Sequence, residues 1–110
     1  MSLFVSLQVL NQKRQSFNSG ETIIKEATPG GTVLVLIKGQ VKVSLHDKEI
    51  ASVSTQGQIF GEIASIRGCN YGATVTAASD CEFYVIDNII SYLKLHPEDS
   101  ISMMKILCER

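Results

Sequence analysis

Short apolar runs separated by turn residues constrain the fold of this chain more than any other feature of its sequence. Residues 32–37 are a continuous run of β-branched residues and leucine, which predicts a strand that is buried on both faces. In residues 41–46 apolar and polar residues alternate, which predicts a strand with one buried and one solvated face. The turn signals between such runs are Asn18-Ser19-Gly20, Pro29-Gly30-Gly31, Lys38-Gly39, His46-Asp47-Lys48, Gln56-Gly57 and Ser79-Asp80. Many short strands with regular turns are typical of a β-sandwich or barrel.

The hydrophobic period becomes helical toward the C-terminal end of the sequence. Asp87 is a good N-cap residue, so we expect it to begin a helix over about 88–95. Ile89, Ile90 and Leu93 are then expected on the apolar face of that helix.

A second helix is predicted over about 97–110. Pro97 suits the first position of a helix, and the acidic pair that follows it complements the positive end of the helix dipole. Apolar residues then recur at helical spacing, and no glycine cap precedes the last residue. We therefore expect this helix to be truncated, in a domain taken from a longer protein.

Composition limits the classes of protein to which the chain can belong. Its 110 residues suffice for one domain with a single core. Lys and Arg number 10 and Asp and Glu 11, whereas a reader of duplex DNA or RNA shows a basic face, so we do not expect direct nucleic-acid binding by this fragment. No apolar run approaches the length needed to cross a bilayer. The three cysteines lack metal-like spacing, which is typical of free thiols in a reducing cytoplasm.

Candidate catalytic groups do not combine into a site in the sequence. The two histidines, His46 and His96, are too far apart in the pattern of strands and helices to share a metal. No nucleophile can be paired with a base, so we do not expect an enzyme. A small enzyme of the metal-binding cupin class, which needs clustered His and Glu ligands, is the most distant alternative.

The stretch from 60 to 77 carries the strongest functional signal. It reads FGEIASIRGCNYGATVTA, with a Gly-Glu pair after an apolar run, a glycine-broken loop, and a small-residue entry into a new strand. A loop of this kind can direct several backbone N–H groups toward one point and so hold an anion such as phosphate. Glu62 adds an acceptor suited to a sugar hydroxyl. A phosphate cradle beside a ribose acceptor predicts a nucleotide pocket.

This stretch resembles the phosphate-binding cassette of the cyclic nucleotide-binding domain family, whose pattern is approximately F-G-E-[LI]-A, a short loop, and R-[AST]-A-T-V. Phe60 to Ala64 resemble its first half, and Ala73-Thr74-Val75 resemble its second half. We refer to residues 60–77 as the cassette. Five further segments resemble motifs of the family and follow the order of those motifs. They are Phe17 with Gly20-Glu21-Thr22-Ile23, Ile37-Lys38-Gly39 with Val41 and Val43, Gln56-Gly57-Gln58-Ile59, Val85-Ile86-Asp87 and Leu95-His96-Pro97-Glu98.

The resemblance implies a mainly β fold with C-terminal helices. This fold is an antiparallel β-roll, also described as a jelly-roll-like double-stranded β-helix, over about 12–86 within a single domain of residues 1–110. The implied ligand is cAMP or cGMP, with no other cofactor. The residues that the resemblance assigns to the ligand are Gly61, Glu62, Ile63, Ala64, Tyr71, Gly72, Ala73 and Thr74. Among them Glu62 would accept the ribose 2′-hydroxyl, and Gly61 would be needed for a backbone turn or a close approach. Backbone amides would come from Ile63, Ala64, Ala73 and Thr74, and Thr74 could add its hydroxyl.

One position departs from the family pattern. The arginine that pairs with the phosphate is replaced by Tyr71. Loss of a charge-assisted hydrogen bond is expected to weaken phosphate binding by roughly one to two orders of magnitude. Tyr71 could donate its phenol to the phosphate, stack on a purine, or fill the space of the missing side chain. Arg67, in the same loop, is a candidate substitute cation, although a solvated arginine is the simpler interpretation.

The resemblance implies a cytoplasmic regulatory module that couples ligand binding to movement of its C-terminal helices. The last helix would also be a candidate dimer interface. The first alternative is a degenerate domain that binds no nucleotide and serves as an interaction or dimerisation scaffold. The second is the sensor part of a transcription regulator, resembling the catabolite activator, whose DNA-binding half is not included here.

Overall fold

The computed structural model describes residues 13–97, which form eight strands and two short helices. The strands are β1 (Arg14–Phe17), β2 (Thr22–Ile24), β3 (Val33–Lys38), β4 (Val41–Leu45), β5 (Lys48–Val53), β6 (Ile59–Phe60), β7 (Thr74–Ala77) and β8 (Cys81–Ile86). Helix α1 (Glu62–Arg67) lies between β6 and β7, and helix α2 (Ile89–Leu95) follows β8.

The strands form two four-stranded sheets. One sheet has the order β1-β8-β3-β6 and the other has the order β2-β7-β4-β5. Every strand pair is antiparallel. Sequence neighbours such as β3 and β4 lie in different sheets, so the chain crosses between the sheets as it rolls up. This architecture confirms the predicted antiparallel β-roll with C-terminal helices.

The central pair β3 and β8 is buried on both faces. Val33 and Val35 belong to an apolar cluster that includes Ile89 and Tyr92 of α2. The alternate residues of β3 belong to a second cluster, which fills the space between the two sheets. All four residues from 33 to 36 are at most 4% exposed, which confirms the expected strand with two buried faces.

The hairpin of β4 and β5 shows how a local irregularity changes an alternating pattern. Val41 is buried and Val43 is half-buried, as the alternation predicts. The register then shifts between residues 43 and 44, and Leu45, expected on the buried face, is 38% exposed. The loop that follows is the predicted turn, in which His46 and Asp47 both have positive φ (51° and 65°), as in a two-residue hairpin connection.

Helix α2 begins one residue later than the sequence predicts. Asn88 is its N-cap, since the Asn88 side chain accepts a hydrogen bond from the Ser91 amide at 3.1 Å. The prediction that Asp87 caps the helix is wrong, because Asp87 forms an ion pair with Lys13 at 3.7 Å. The apolar face of α2 also differs from the prediction.

With the helix beginning at Ile89, the residues three and four positions later share its buried face. Tyr92 is therefore buried and Leu93 packs against the core, whereas Ile90, predicted on this face, is 42% exposed. Ile90 is about 100° around the helix from Ile89, so it lies at the edge of this face and not within it.

Some of the predictions fall on residues that the structure does not describe. The helix predicted over 97–110, apart from Pro97, lies outside the described residues, as do the truncation and the dimer interface assigned to it. Between residues 13 and 97, no helix combines the length and apolar character required to cross a membrane. Within the same range, no group of three or more His, Cys, Asp and Glu residues is placed to hold a metal ion.

Two glycines with similar backbone angles provide a matched test of this packing. We expect Gly39→Ala to lower the free energy of unfolding by about 2–4 kcal/mol, because φ is +104° and an added Cβ would lie 2.5 Å from the Asp80 carbonyl oxygen. Gly20→Ala is the control, since φ is +93° but no atom lies within 4 Å of the added Cβ. Its expected cost is about 1 kcal/mol. Urea denaturation measures both, and equal losses in the two variants would contradict the packing described here.

Candidate functional site

A cavity of about 450 Å³ lies between the first part of the cassette, up to residue 73, and the sheet that contains β4, β5 and β7. Its walls include apolar side chains from all three strands: Val43, Val53 and Val75. The opposite side is formed by residues 58–64 and 69–73. The cavity is thus mainly apolar, with polar groups concentrated along the cassette.

Gly61 forms the turn that joins β6 to α1. Its backbone is left-handed, with φ 82° and ψ 5°, so the chain can reverse direction directly before the helix. A Cβ at this position would lie 2.8 Å from the Thr32 carbonyl oxygen and 2.9 Å from the Tyr71 ring. The expectation that this glycine is required for a turn and a close approach is confirmed by both observations.

Glu62 is the first residue of α1, and its side chain lines the cavity. It is 2% exposed and is the one charged residue that is buried among residues 13–97. Burial of a carboxyl group is costly unless hydrogen bonds compensate for the lost water. Its position in the cavity wall makes Glu62 a candidate acceptor for a ligand hydroxyl. The amides of the next two residues lie in the first helical turn, where N–H groups have no partner within the helix.

Tyr71 ties the cassette to the chain that precedes β3. Its hydroxyl donates to the Thr32 carbonyl at 2.8 Å and accepts from the Thr32 amide at 3.1 Å. Its backbone amide donates to the Thr28 carbonyl at 2.9 Å, and its carbonyl accepts from the Ala27 amide at 2.9 Å. The ring lines the cavity, but the single hydroxyl hydrogen is directed away from it, toward the backbone.

The structure brings most of the predicted site residues together around the cavity. Those that line it are Gly61, Glu62, Ile63, Ala64, Tyr71, Gly72 and Ala73. Thr74 does not line it, whereas its strand neighbour Val75 does, since successive side chains of a strand point to opposite faces. The Thr74 hydroxyl accepts from the Glu26 amide at 3.1 Å. Glu26 in turn accepts from the His46 amide at 2.9 Å, so this group of residues joins the hairpin turn to the entrance of β7.

Arg67 does not line the cavity either. It occupies the last turn of α1, where its side chain is exposed. This position matches the interpretation of Arg67 as a solvated arginine.

Several lining residues were not predicted from the sequence. They are Ile24, Val43, Val53, Gln58, Ile59, Phe60, Cys69, Asn70 and Val75. The strand residues among them carry only the signal of an inward-facing apolar position, and which strands meet the cassette depends on the sheet order. Cys69 and Asn70 belong to the cassette loop, so their position next to the predicted site residues at 71–73 could have identified them as lining residues.

The charge of the cavity wall is unusual for an anion site. Among the described residues that line it, none is Lys, Arg or His, and Glu62 is the only one with a carboxyl side chain. Any phosphate held here would therefore depend on backbone amides and neutral groups.

Comparison with known proteins identifies the architecture around this cavity. The family model described as the cyclic nucleotide-binding domain matches residues 14–89. The chain resembles the crystal structure of the Thermus thermophilus catabolite activator protein with a TM-score of 0.82, at 18% identity over 97% of this chain and 53% of that one. It resembles the cAMP-bound structure of PfPKA-R with a TM-score of 0.69, at 34% identity over 81% of this chain and 31% of that one.

Among curated relatives, a cGMP-dependent protein kinase (isozyme 2) of Drosophila melanogaster is 35% identical over 59% of this chain. The cGMP-dependent protein kinase egl-4 of Caenorhabditis briggsae is 28% identical over 66% of this chain. The chain spans only 6% and 10% of these two kinases. The β-roll, the cassette with its buried Glu62, and a family match over residues 14–89 lead to one conclusion: this chain belongs to the cyclic nucleotide-binding domain family.

Proposed function

We propose that this chain is a non-catalytic regulatory module that binds a cyclic nucleotide, cAMP or cGMP, in the cavity beside the cassette. The observation that carries the proposal is the burial of Glu62 in the cavity wall at the start of α1. A buried carboxyl group facing a cavity of about 450 Å³ suits recognition of a ribose hydroxyl. The resemblance to cAMP-bound PfPKA-R, at 34% identity, supports the same ligand class.

In the proposed complex each part of the ligand meets a different part of the wall. The ribose lies against Glu62, which accepts its 2′-hydroxyl. The cyclic phosphate lies near the backbone amides of Ile63, Ala64 and Ala73, which can donate without a side-chain charge. The base occupies the apolar part of the cavity formed by the strands.

Tyr71 serves this site mainly by holding its shape. Because the hydroxyl of Tyr71 donates to the Thr32 carbonyl, it can reach a phosphate only by breaking that bond. The ring fills the wall at the position where the family pattern has an arginine. The proposed role of Tyr71 is therefore structural, and the phosphate contributes less to affinity than an arginine would allow.

Ligand binding would be transmitted through α1. This helix contacts α2, so a cassette that tightens on a ligand would bias the position of α2 and of the chain that follows it. Such coupling requires the ligand to prefer one arrangement of the helices. A homodimer through the last helix, and a cytoplasmic location, belong to the same proposal.

A second candidate function is a scaffold without a nucleotide ligand. It is favoured by one observation, the lack of a cation among the described residues of the cavity wall. In that case the fold would be retained for an interaction with a partner, and the cavity would remain empty in the presence of cyclic nucleotides.

Titration calorimetry with cAMP and cGMP separates the two candidates. We expect micromolar binding of at least one of them by the native chain. Glu62→Ala should weaken it at least about tenfold, since a buried acceptor for the ribose is lost. Glu49→Ala removes an exposed carboxylate from β5 and serves as the matched control. Absence of binding by the native chain would favour the scaffold, whereas equal affinity in both variants would contradict the role assigned to Glu62.

The structural role assigned to Tyr71 makes a separate prediction. Tyr71→Phe keeps the ring and removes both hydrogen bonds to Thr32, so we expect the free energy of unfolding to fall by about 1–2 kcal/mol. Chemical denaturation measures this free energy, and we expect the m-value to be unchanged. A native-like free energy of unfolding in Tyr71→Phe would show that the hydroxyl does not tie the cassette to Thr32.

A further inference from the structure

The cavity wall has groups that suit a sugar and a base, but few that would stabilise a negative charge. Its strand residues are apolar, and Glu62 supplies an acceptor on the cassette side. Among the described residues of the wall, no side chain carries a positive charge. Arg67, the nearest arginine along the chain, is exposed in the last turn of α1 and does not line the cavity.

The neutral side chain at the arginine position does not replace the missing charge. The hydroxyl hydrogen of Tyr71 is donated to the Thr32 carbonyl at 2.8 Å, and its oxygen accepts from the Thr32 amide at 3.1 Å. A phosphate oxygen could gain this donor only if the carbonyl lost it. The exchange of one hydrogen bond for another gives little net affinity.

A cyclic phosphate would also bring its own charge close to the carboxyl group of Glu62. Like charges in a partly buried site repel more strongly than they do in water. A charge taken from water without a counterion carries a desolvation cost that backbone amides must offset. A ribose and a base carry no charge, so they avoid both the repulsion and the cost of desolvating a charge.

We propose that this cavity accepts uncharged ribonucleosides at least about as well as cyclic nucleotides. This inference rests on the proposed function, because it uses the same cavity and the same contact between Glu62 and the ribose. It deepens that function by naming the ligand class. The phosphate is not the recognised group, and the recognised group is a ribose that still has its 2′-hydroxyl.

The test compares adenosine with cAMP in calorimetric titrations of the full 110-residue chain at one salt concentration. We expect the dissociation constant of adenosine to be lower than that of cAMP or within about tenfold of it. 2′-Deoxyadenosine should bind about tenfold more weakly than adenosine, because Glu62 would lose its partner. Binding of cAMP more than about tenfold tighter than adenosine would overturn the inference.

Two variants test the electrostatic reason. Tyr71→Arg should shift the ratio of the two dissociation constants toward cAMP by about tenfold or more, since it adds a charge-assisted hydrogen bond to phosphate. Tyr71→Gln removes the phenol without adding charge and is expected to leave that ratio near the native one.

If Tyr71→Arg fails to fold, Glu62→Gln provides a second test. It keeps an acceptor and removes the formal charge, so the ratio should move toward cAMP by about threefold or more.

The outcomes separate this inference from the proposed function. If cAMP binds and adenosine is more than about tenfold weaker, the proposed function stands and the inference fails. If adenosine binds and cyclic nucleotides do not, the inference stands and the cyclic nucleotide ligand fails. If neither ligand binds the native chain, both are overturned together. A shift of the ratio in Tyr71→Gln as large as that in Tyr71→Arg would overturn the electrostatic argument.

Discussion

The structure depends on the pairing of β3 with β8, the two strands at the centre of one sheet. Both strands are buried on both faces, so they join the core between the sheets to the core beneath α2. The side chains of residues 33–36 and 83–86 are buried and remove apolar surface from solvent, whereas Lys38 and Glu82 at the other end of the pair remain in contact with it. The short strand β6 pairs with the other edge of β3, which fixes the position of Gly61 and Glu62 at its end. The candidate site is in this way attached to the most buried part of the molecule.

A second constraint acts at the opposite end of the cassette. The four hydrogen bonds between Tyr71 and residues 27–32 hold the loop against the chain that enters β3. The sequence resemblance aligns Tyr71 with the phosphate-pairing arginine of the family pattern. A neutral, backbone-bonded tyrosine at this position stabilises the loop and leaves the cavity without a cation among its described residues. The stability of the loop thus depends in part on Tyr71.

Features fixed by neighbouring residues could be predicted from the sequence, and features fixed by distant residues could not. The buried run at 33–36 and the left-handed Gly61 follow from side-chain type and local backbone geometry. The exposure of Leu45 depends on a register shift in a strand pair, which no local pattern encodes. Asp87 was expected to cap α2, but its ion pair with Lys13 joins residues far apart in the sequence. Thr74 lies outside the cavity wall while its strand neighbour Val75 lines it, and this alternation is a local signal that the motif-based prediction did not use.

The central claim is that a ribose-containing ligand occupies the cavity between the cassette and the strands, with its 2′-hydroxyl bound by Glu62 in the cavity wall. Amide chemical shifts of the isotopically labelled chain, recorded during titration with cAMP and with adenosine, test this claim most directly. The predicted result is a saturable set of changes concentrated at residues 61–64 and 71–74, with little change in β1 on the far sheet. Changes scattered over the surface, or none at the cassette at saturating ligand, would contradict it.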